Sequence, residues 1–172
     1  DVRREHGEPG AEQARDRVFV APTPGIIYAN LYEAGSEPEE GMEVELTETA
    51  VKQVVPELVR RGVRVVPGGD YRFAWNPVGR NARDLQLFVD WFGFTPAEAL
   101  RAATQLGGQV MGMPEELGLV RAGYLADLVL VDGNPLDDIA ILQDHHRLAT
   151  IMSNGRLHKP GRVVGAAVLS LS

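Results

Sequence analysis

The chain has 172 residues, a formal net charge of −7 and no cysteine, which excludes disulfide frameworks and thiolate metal sites. The acidic balance and the lack of Lys/Arg clusters disfavour a nucleic-acid partner. The longest apolar stretch, residues 163–171, is far shorter than the roughly 20 residues that a membrane helix needs. Because no signal-peptide pattern is present, we expect a cytoplasmic protein with no membrane partner.

The chain begins with a segment that we expect to be a flexible lead. Residues 1–17 are rich in charge, Gly and Pro and show no apolar period. Residues 18–21 then form an apolar β-branched run that indicates a short buried strand, ending at Pro22.

A loop and a helix are predicted to follow this strand. Residues 25–32 are expected to form the loop, in which Tyr28 and Tyr32 either lie over a site or pack against the next helix. Apolar residues then recur every three or four positions over residues 47–61, which predicts an amphipathic helix kinked at Pro56.

The next segment is a β-branched run that stops at an acid. Residues 62–70 read Gly-Val-Arg-Val-Val-Pro-Gly-Gly-Asp, so a strand over 63–66 would leave Asp70 beyond its carboxyl end. Parallel-barrel enzymes place their reactive groups at that end of their strands. The structural alternative is an Asp that caps the following turn through its own loop amides.

The loop after Asp70 is predicted to line a substrate pocket. Three aromatic side chains would form its wall: Tyr71, Phe73 and Trp75. Arg72 and Arg80 would bind a substrate carboxylate if they faced the pocket, and would have no such role if they faced solvent. Asn76 and Asn81 could also contact a substrate, although Asn81 is better placed to cap the next helix.

Two helices are predicted after this loop, each with its own start signal. Asn81 followed by Asp84 predicts a capping arrangement for the first helix. Thr95, with Pro96 at the first helical position and Glu98 at the third, predicts a capping box for the second. We expect the second helix to end at residues 107–108, which are both glycine.

Beyond residue 118 the apolar period changes from helix to strand. The predicted strands are residues 119–121, 128–131, 148–153 and 156–158, with Asn154-Gly155 as a two-residue hairpin turn. Asp127 precedes the second of these strands. The adjacent His145 and His146 lie in a connecting loop, where we expect them to be solvated rather than to bind a metal.

The order of these motifs resembles the closing portion of the amidohydrolase superfamily, in particular its imidazolonepropionase-like and prolidase-like branch. Three pieces carry the resemblance: Asp70 after a strand, the sequence TPAEALRAAT at residues 95–104, and GLVRAGYLADLVLVDGNPL at residues 118–136. The similarity extends over residues 18–159. Each piece alone would be weak, whereas the ordered combination is specific.

The resemblance implies an α/β fold. Residues 18–112 would be the last two strands and helices of a (β/α)8 TIM-type barrel, and residues 113–172 a small β domain. It also implies a metal-dependent hydrolase of C–N bonds in amides, lactams or peptide-like molecules. Asp70 would be both a catalytic residue and a ligand of zinc or another divalent metal. The candidate substrate-binding residues are Tyr71, Arg72, Trp75 and Arg80, and Asp127 would be structural.

Several residues that the resembled family uses have no counterpart in this chain. Members begin with a strand carrying His-x-His, and this motif does not occur among the four histidines here, which are His6, His145, His146 and His158. We therefore expect the chain alone to bind no metal and to be inactive, unless a missing N-terminal part or self-association completes it. The alternatives are a truncated, catalytically inactive relative that binds a partner, and an unrelated acidic binding module.

Overall fold

The computed structural model of the chain describes residues 18–34 and 44–160, with side chains from residue 47 onward in the second range. The expected lead at 1–17, which includes His6, lies outside the described residues, as does the apolar stretch 163–171. Within the described ranges, no helix is both long and apolar enough to cross a bilayer.

A parallel pair of short strands organises the first part of the fold. Strand β1, Phe19–Val20, pairs with strand β2, Arg64–Val65, in parallel, with Phe19 opposite Arg64. The Val66 N–H extends the ladder by donating to the Val20 carbonyl at 2.9 Å. Both strands were predicted from their β-branched runs, and both are confirmed.

Two helices connect these strands, and the first was predicted wrongly. Helix α1, Pro24–Tyr32, occupies the segment expected to be a loop. Its apolar residues surround the helix instead of forming one stripe, so the sequence shows no 3.6-residue period. Pro24 at the first helical position presets the helical φ and starts the helix. Helix α2, Val44–Arg60, was predicted and contains Pro56.

Tyr32 contacts the next helix, as one of the two interpretations had it, whereas Tyr28 packs against Trp91 of a later helix. The Tyr32 hydroxyl donates to the Glu48 carboxylate of α2 at 3.1 Å. The Tyr28 ring lies 6.1 Å from the Trp91 ring and 4.9 Å from the Tyr32 ring, measured between centroids. These contacts tie α1 to its neighbours.

Three further helices follow β2: α3, Ala82–Phe92; α4, Pro96–Ala103; and α5, Gln105–Val110. The capping box that begins α4 is confirmed, since the Glu98 N–H donates to the Thr95 hydroxyl at 3.2 Å and the Thr95 N–H donates to the Glu98 carboxylate at 2.8 Å. The predicted end at residues 107–108 is wrong. The helix breaks at Thr104, whose φ of −102° and ψ of −76° depart from regular helical values. The Thr104 N–H and the Thr104 hydroxyl both donate to the Leu100 carbonyl, at 3.0 and 2.8 Å.

The capping arrangement predicted for α3 is also wrong. Asn81 occupies the N-cap position, but its side chain makes no capping hydrogen bond, and its backbone is already helical. Asp84 points into the protein and is buried. The apolar stripe of the helix is confirmed by the burial of Leu85, Phe88 and Phe92.

The core lies where α2, β2, α3 and α4 meet. Its fully buried members are Val55, Val65, Phe88, Phe92, Ala99 and Ala102. The Phe88 ring packs edge-on against Phe92 at 5.3 Å between centroids. This core fixes the strand that leads to Asp70 against the helix that follows it.

A second, antiparallel sheet contains strands β3, Leu128–Val131; β4, Leu148–Ser153; and β5, Arg156–Lys159, in the order β3-β4-β5. Asn154 and Gly155 form the predicted hairpin turn, with φ of 47° and 75°. The Asp127 carboxylate accepts from the Asn154 N–H at 2.6 Å, which is a structural role.

One strand expected in this region does not form. Residues 119–121 are irregular, between glycines at 118 and 123 whose φ values are 89° and 91°. These two turns bend the chain away from a ladder, so the predicted strand is wrong.

Candidate functional site

Asp70 lies beyond the carboxyl end of the parallel strand pair. Strand β2 ends at Val65, and the chain continues through Pro67 and two glycines to Asp70. The Asp70 side chain is exposed, and no hydrogen bond joins its carboxylate to any other described residue. The turn-capping alternative for this carboxylate therefore has no support. The Asp70 backbone has φ 49°, in the left-handed region.

Asn76 is the residue that holds this end of the loop. Its side chain is fully buried, and its Nδ2 donates to the Gly69 carbonyl at 2.8 Å and to the Asp70 carbonyl at 3.0 Å. Its Oδ1 accepts from Arg83 at 2.7 Å. The suggestion that Asn76 contacts a substrate is wrong, because its polar atoms are all used inside the protein.

Arg83 is a buried cation surrounded by acceptors. Only 7 % of the residue is exposed, and its guanidinium also donates to the Gly25 carbonyl at 3.1 Å and to Glu33 at 2.7 Å. It lies 5.2 Å from the centre of the Tyr28 ring, which is a cation–π distance. Arg83 therefore links α1, α3 and the loop that carries Asp70.

The Glu33 carboxylate forms ion pairs with two arginines. Besides Arg83, Arg80 donates to both carboxylate oxygens, at 2.7 and 2.9 Å. Burial alone would raise the pKa of Glu33, but the hydrogen bonds from Arg83 and Arg80 outweigh burial and lower this pKa below its ordinary value.

A second polar pair lies beneath the loop. The Tyr71 hydroxyl donates to Asp84 Oδ2. Burial raises the pKa of Asp84, against the opposing effects of the Tyr71 hydrogen bond and the Arg83 charge. Burial and the neighbouring Asp84 likewise raise the pKa of Tyr71. The backbone N–H of Gly25 also favours the ionised form of Asp84, without a well-formed hydrogen bond to the buried Oδ1.

Two glycines make room for the Asp84 carboxyl. A Cβ on Gly25 would lie 2.4 Å from Asp84 Oδ1, and a Cβ on Gly69 would lie 2.6 Å from Oδ2 and 2.1 Å from the Tyr71 hydroxyl. All three distances are shorter than any van der Waals contact. The Asp84 carboxyl is thus packed directly against the backbone that follows β2 and against the first turn of α1.

The four candidate substrate-binding residues lie on the same loop but differ in exposure and in their hydrogen-bond partners. Tyr71 is half-buried, with its hydroxyl bound to Asp84. Trp75 is 39 % exposed and stacks on Phe73, with 5.7 Å between ring centroids and 23° between planes. Arg72 is exposed with φ 104°, and Arg80 is paired with Glu33. Their role in substrate binding stays a prediction.

Sequence reasoning missed the inward role of Arg83 and Asp84. Asp84 was interpreted as a capping residue because of its distance from Asn81. A signal was nevertheless present: Asp84 lies four and eight residues before Phe88 and Phe92, which places an acid on the apolar stripe of α3. Arg83 has the same relation to the buried Leu87.

The described residues do not supply a complete metal site. No group of three or more His, Cys, Asp or Glu side chains in residues 18–34 and 44–160 is arranged to hold a metal ion. A catalytic zinc normally takes three protein ligands, and Asp70 offers one carboxylate of suitable chemistry. We therefore derive no reaction step through a metal from these residues.

Comparison with known proteins decides the family. A model of the amidohydrolase family matches residues 43–158. The chain belongs to the amidohydrolase family. Amidohydrolases of known structure also share its α/β fold: the crystal structure of A. niger ochratoxinase superimposes with a TM-score of 0.70 and 27 % identity over 83 % of this chain and 32 % of that chain. A prolidase complexed with N-methylphosphonate-L-proline gives a TM-score of 0.68 and 26 % identity, covering 83 % of this chain and 35 % of the other.

Curated amidohydrolases are similar over shorter lengths. Ochratoxinase of Aspergillus niger is 35 % identical over 105 residues, which cover 60 % of this chain and 21 % of that protein. Imidazolonepropionase of Rubrobacter xylanophilus is 39 % identical over 77 residues, covering 45 % of this chain and 19 % of the relative. The chain spans about a fifth of the length of these relatives. The expected membership of the superfamily is confirmed.

Proposed function

We propose that this amidohydrolase chain forms the closing part of a metal-dependent hydrolase of C–N bonds, with Asp70 at its reactive centre. In this proposal β1 and β2 are the last two strands of a (β/α)8 barrel formed by residues 18–112, and residues 113–172 form a small β domain. The parallel pairing of β1 and β2, with helices between and after them, supports this arrangement.

One observation carries the proposal: the position and freedom of the Asp70 carboxylate. It follows a parallel strand at the carboxyl end, it is exposed, and no described residue binds it. Barrel enzymes keep their catalytic groups at this end of the strands. A structural carboxylate would instead be used by neighbouring N–H groups, as the Asp127 carboxylate is.

Asp70 can serve as a ligand and as a proton carrier. When a divalent ion is bound in such a hydrolase, it lowers the pKa of a bound water. The carboxylate of Asp70 would accept a proton from the attacking water and pass it to the leaving nitrogen. The other metal ligands have to come from residues outside 18–34 and 44–160.

The loop that carries Asp70 suggests the substrate class. The stacked Phe73 and Trp75 rings offer an apolar surface, and Arg72 is an exposed cation whose side chain makes no hydrogen bond to a described residue. These groups suit a small peptide-like molecule that has an apolar part and a carboxylate. Arg80 is less suited to bind that carboxylate, because Glu33 already compensates its charge. Tyr71 would contribute the face of its ring.

A chimera tests the proposal. The segment of A. niger ochratoxinase that aligns with this chain is replaced by this chain's residues, and turnover of the host enzyme's own substrate is measured. We expect the chimera to be active, and Asp70→Asn to lower kcat by about 100-fold or more, as for loss of a general acid–base. Asp90→Asn, at an exposed acid of α3, is the matched control.

Two results would contradict the proposal. The first is a chimera in which Asp70→Asn is as active as Asp90→Asn. The second is a chimera that folds, as judged by circular dichroism, but is inactive with Asp70 intact. Either result would show that this segment does not supply the reactive carboxylate of a hydrolase.

A further inference from the structure

The backbone of Asp70 adopts a conformation that its own side chain does not stabilise. A left-handed φ is unfavourable for a residue with a Cβ, although Asp tolerates it better than most. No described residue hydrogen-bonds to the Asp70 carboxylate. The conformation must therefore be held by the groups around the backbone, as expected for strained residues at functional sites.

Asn76 contacts both peptide planes that adjoin Asp70. The Gly69 carbonyl belongs to the plane before the Asp70 Cα, and the Asp70 carbonyl belongs to the plane after it. Because one Asn76 Nδ2 donates to both carbonyls, at 2.8 and 3.0 Å, it fixes the two planes relative to each other. That relation is what φ and ψ of Asp70 describe.

Arg83 determines which end of the Asn76 amide faces these carbonyls. An asparagine amide can turn over and exchange its oxygen and nitrogen. The Arg83 guanidinium at 2.7 Å from Oδ1 can only donate, so the oxygen must face Arg83 and Nδ2 must face the loop. Arg83 is held in turn by the Gly25 carbonyl and Glu33.

We propose that Arg83 is a positioning residue that acts through Asn76 to fix the backbone of Asp70, and with it the direction of the Asp70 carboxylate. The importance of the carboxylate's direction for catalysis rests on the proposed function. The positioning of the Asp70 backbone by Arg83 and Asn76 does not depend on that function. The chain of contacts runs from Glu33 to Arg83, to Asn76, and to the two carbonyls at Asp70.

The test measures the backbone conformation of Asp70 in the full chain by NMR, from coupling constants that report φ. Asn76→Asp replaces the donor by an acceptor while keeping an oxygen for Arg83, and Arg83→Lys removes the planar fork. We expect both variants to move Asp70 away from positive φ. Phe88→Leu, which disturbs the core but not this network, should lower the unfolding temperature and leave the Asp70 couplings unchanged.

A second measurement applies if Asn76→Asp does not fold. Asp70→Gly relieves the strain of a positive φ only when the network imposes that conformation. We therefore expect Asp70→Gly to lower the thermal midpoint more in the Arg83→Lys background than in the wild type. Equal shifts in both backgrounds, or an Asp70 φ that stays positive in Arg83→Lys, would overturn the proposal. Neither measurement uses a metal or a substrate. A contradicting result would therefore count against the positioning role of Arg83 and not against the proposed hydrolase function.

Discussion

Two arginines, Arg80 and Arg83, converge on Glu33, and its charge should stabilise the fold. The Arg83 and Arg80 hydrogen bonds lower the pKa of Glu33 against the opposing effect of burial. A group whose pKa is lower in the folded state stabilises that state fully above its unfolded pKa, here about 4.3. This stabilisation is lost as the pH falls through the folded pKa.

We expect Glu33→Gln to lower the free energy of unfolding by about 1–2 kcal/mol at pH 7, after discounting for the partial exposure of the carboxylate. The difference from the wild type should be smaller at about pH 3 than at pH 7, because a carboxylate whose pKa is lowered by folding loses its stabilising effect as the pH falls. Urea denaturation at the two pH values measures this. Glu115→Gln, at an exposed acid with no ion pair among the described residues, is the control, and a loss that did not depend on pH would contradict the account.

Asp70 can be recognised in the sequence, but the side chains that hold its backbone cannot. A β-branched run ending at an acid is a local pattern, so it can be recognised from the residues alone. The Asn76 contacts join residues six and seven positions apart through a turn, and the Arg83 contacts join residues 50 and 58 positions apart. No local pattern specifies these long-range hydrogen bonds.

The start of α4 is stabilised by residues that can be recognised directly in the sequence. Thr95 and Glu98 satisfy each other's N–H groups, and the hydrogen bonds from Thr95 lower the pKa of Glu98. We expect Thr95→Ala to lower the free energy of unfolding by about 1 kcal/mol. Thermal and urea unfolding measure this value.

Thr104→Ala provides the matched comparison for this element. The Thr104 hydroxyl only donates to the Leu100 carbonyl, which already belongs to a helix, so its removal should change the stability by less than about 0.5 kcal/mol. Equal losses for the two threonines would show that capping does not stabilise the start of α4.

Elements with a period or a cap could be predicted, and elements without either could not. The apolar stripe of α3, the capping box of α4 and the Asn154-Gly155 turn each carry their own signal. Helix α1 carries no period, because its apolar residues surround the helix, and Pro24 at its first position is a weak signal by itself. The end of α4 at Ala103 carries no recognisable stop signal, whereas the two adjacent glycines at 107–108 gave a misleading one.

The described part of the chain exposes surfaces that a closed fold would cover. The parallel sheet has two strands, and Val18 at its start is 51 % exposed. A groove of about 730 Å³ runs between α5 and the irregular segment near Val120, which is 89 % exposed. Uncovered strand edges and apolar grooves recruit other chains.

We therefore expect the isolated chain to self-associate. Sedimentation velocity over a range of concentrations should show dimers or larger assemblies whose fraction rises with concentration. A single sharp monomer peak at all concentrations, together with cooperative thermal unfolding, would instead show that these elements close a core of their own.

The isolated chain should also retain no metal. One carboxylate cannot hold a transition metal against buffer, since structural and catalytic sites need three or four ligands. We expect elemental analysis of the purified chain to find much less than one zinc per molecule, and no hydrolysis of amide, lactam or ester substrates above background. About one tightly held zinc per chain would show that residues outside the described ranges complete a site.

The most direct test of the account is the position of the metal relative to Asp70 in the assembled hydrolase. Anomalous diffraction at the zinc edge, from crystals of the active ochratoxinase chimera soaked in zinc, measures it. We expect a peak about 2.0–2.2 Å from an Asp70 carboxylate oxygen, with Asp70 at positive φ. A fully occupied metal site that Asp70 does not touch would contradict this expectation.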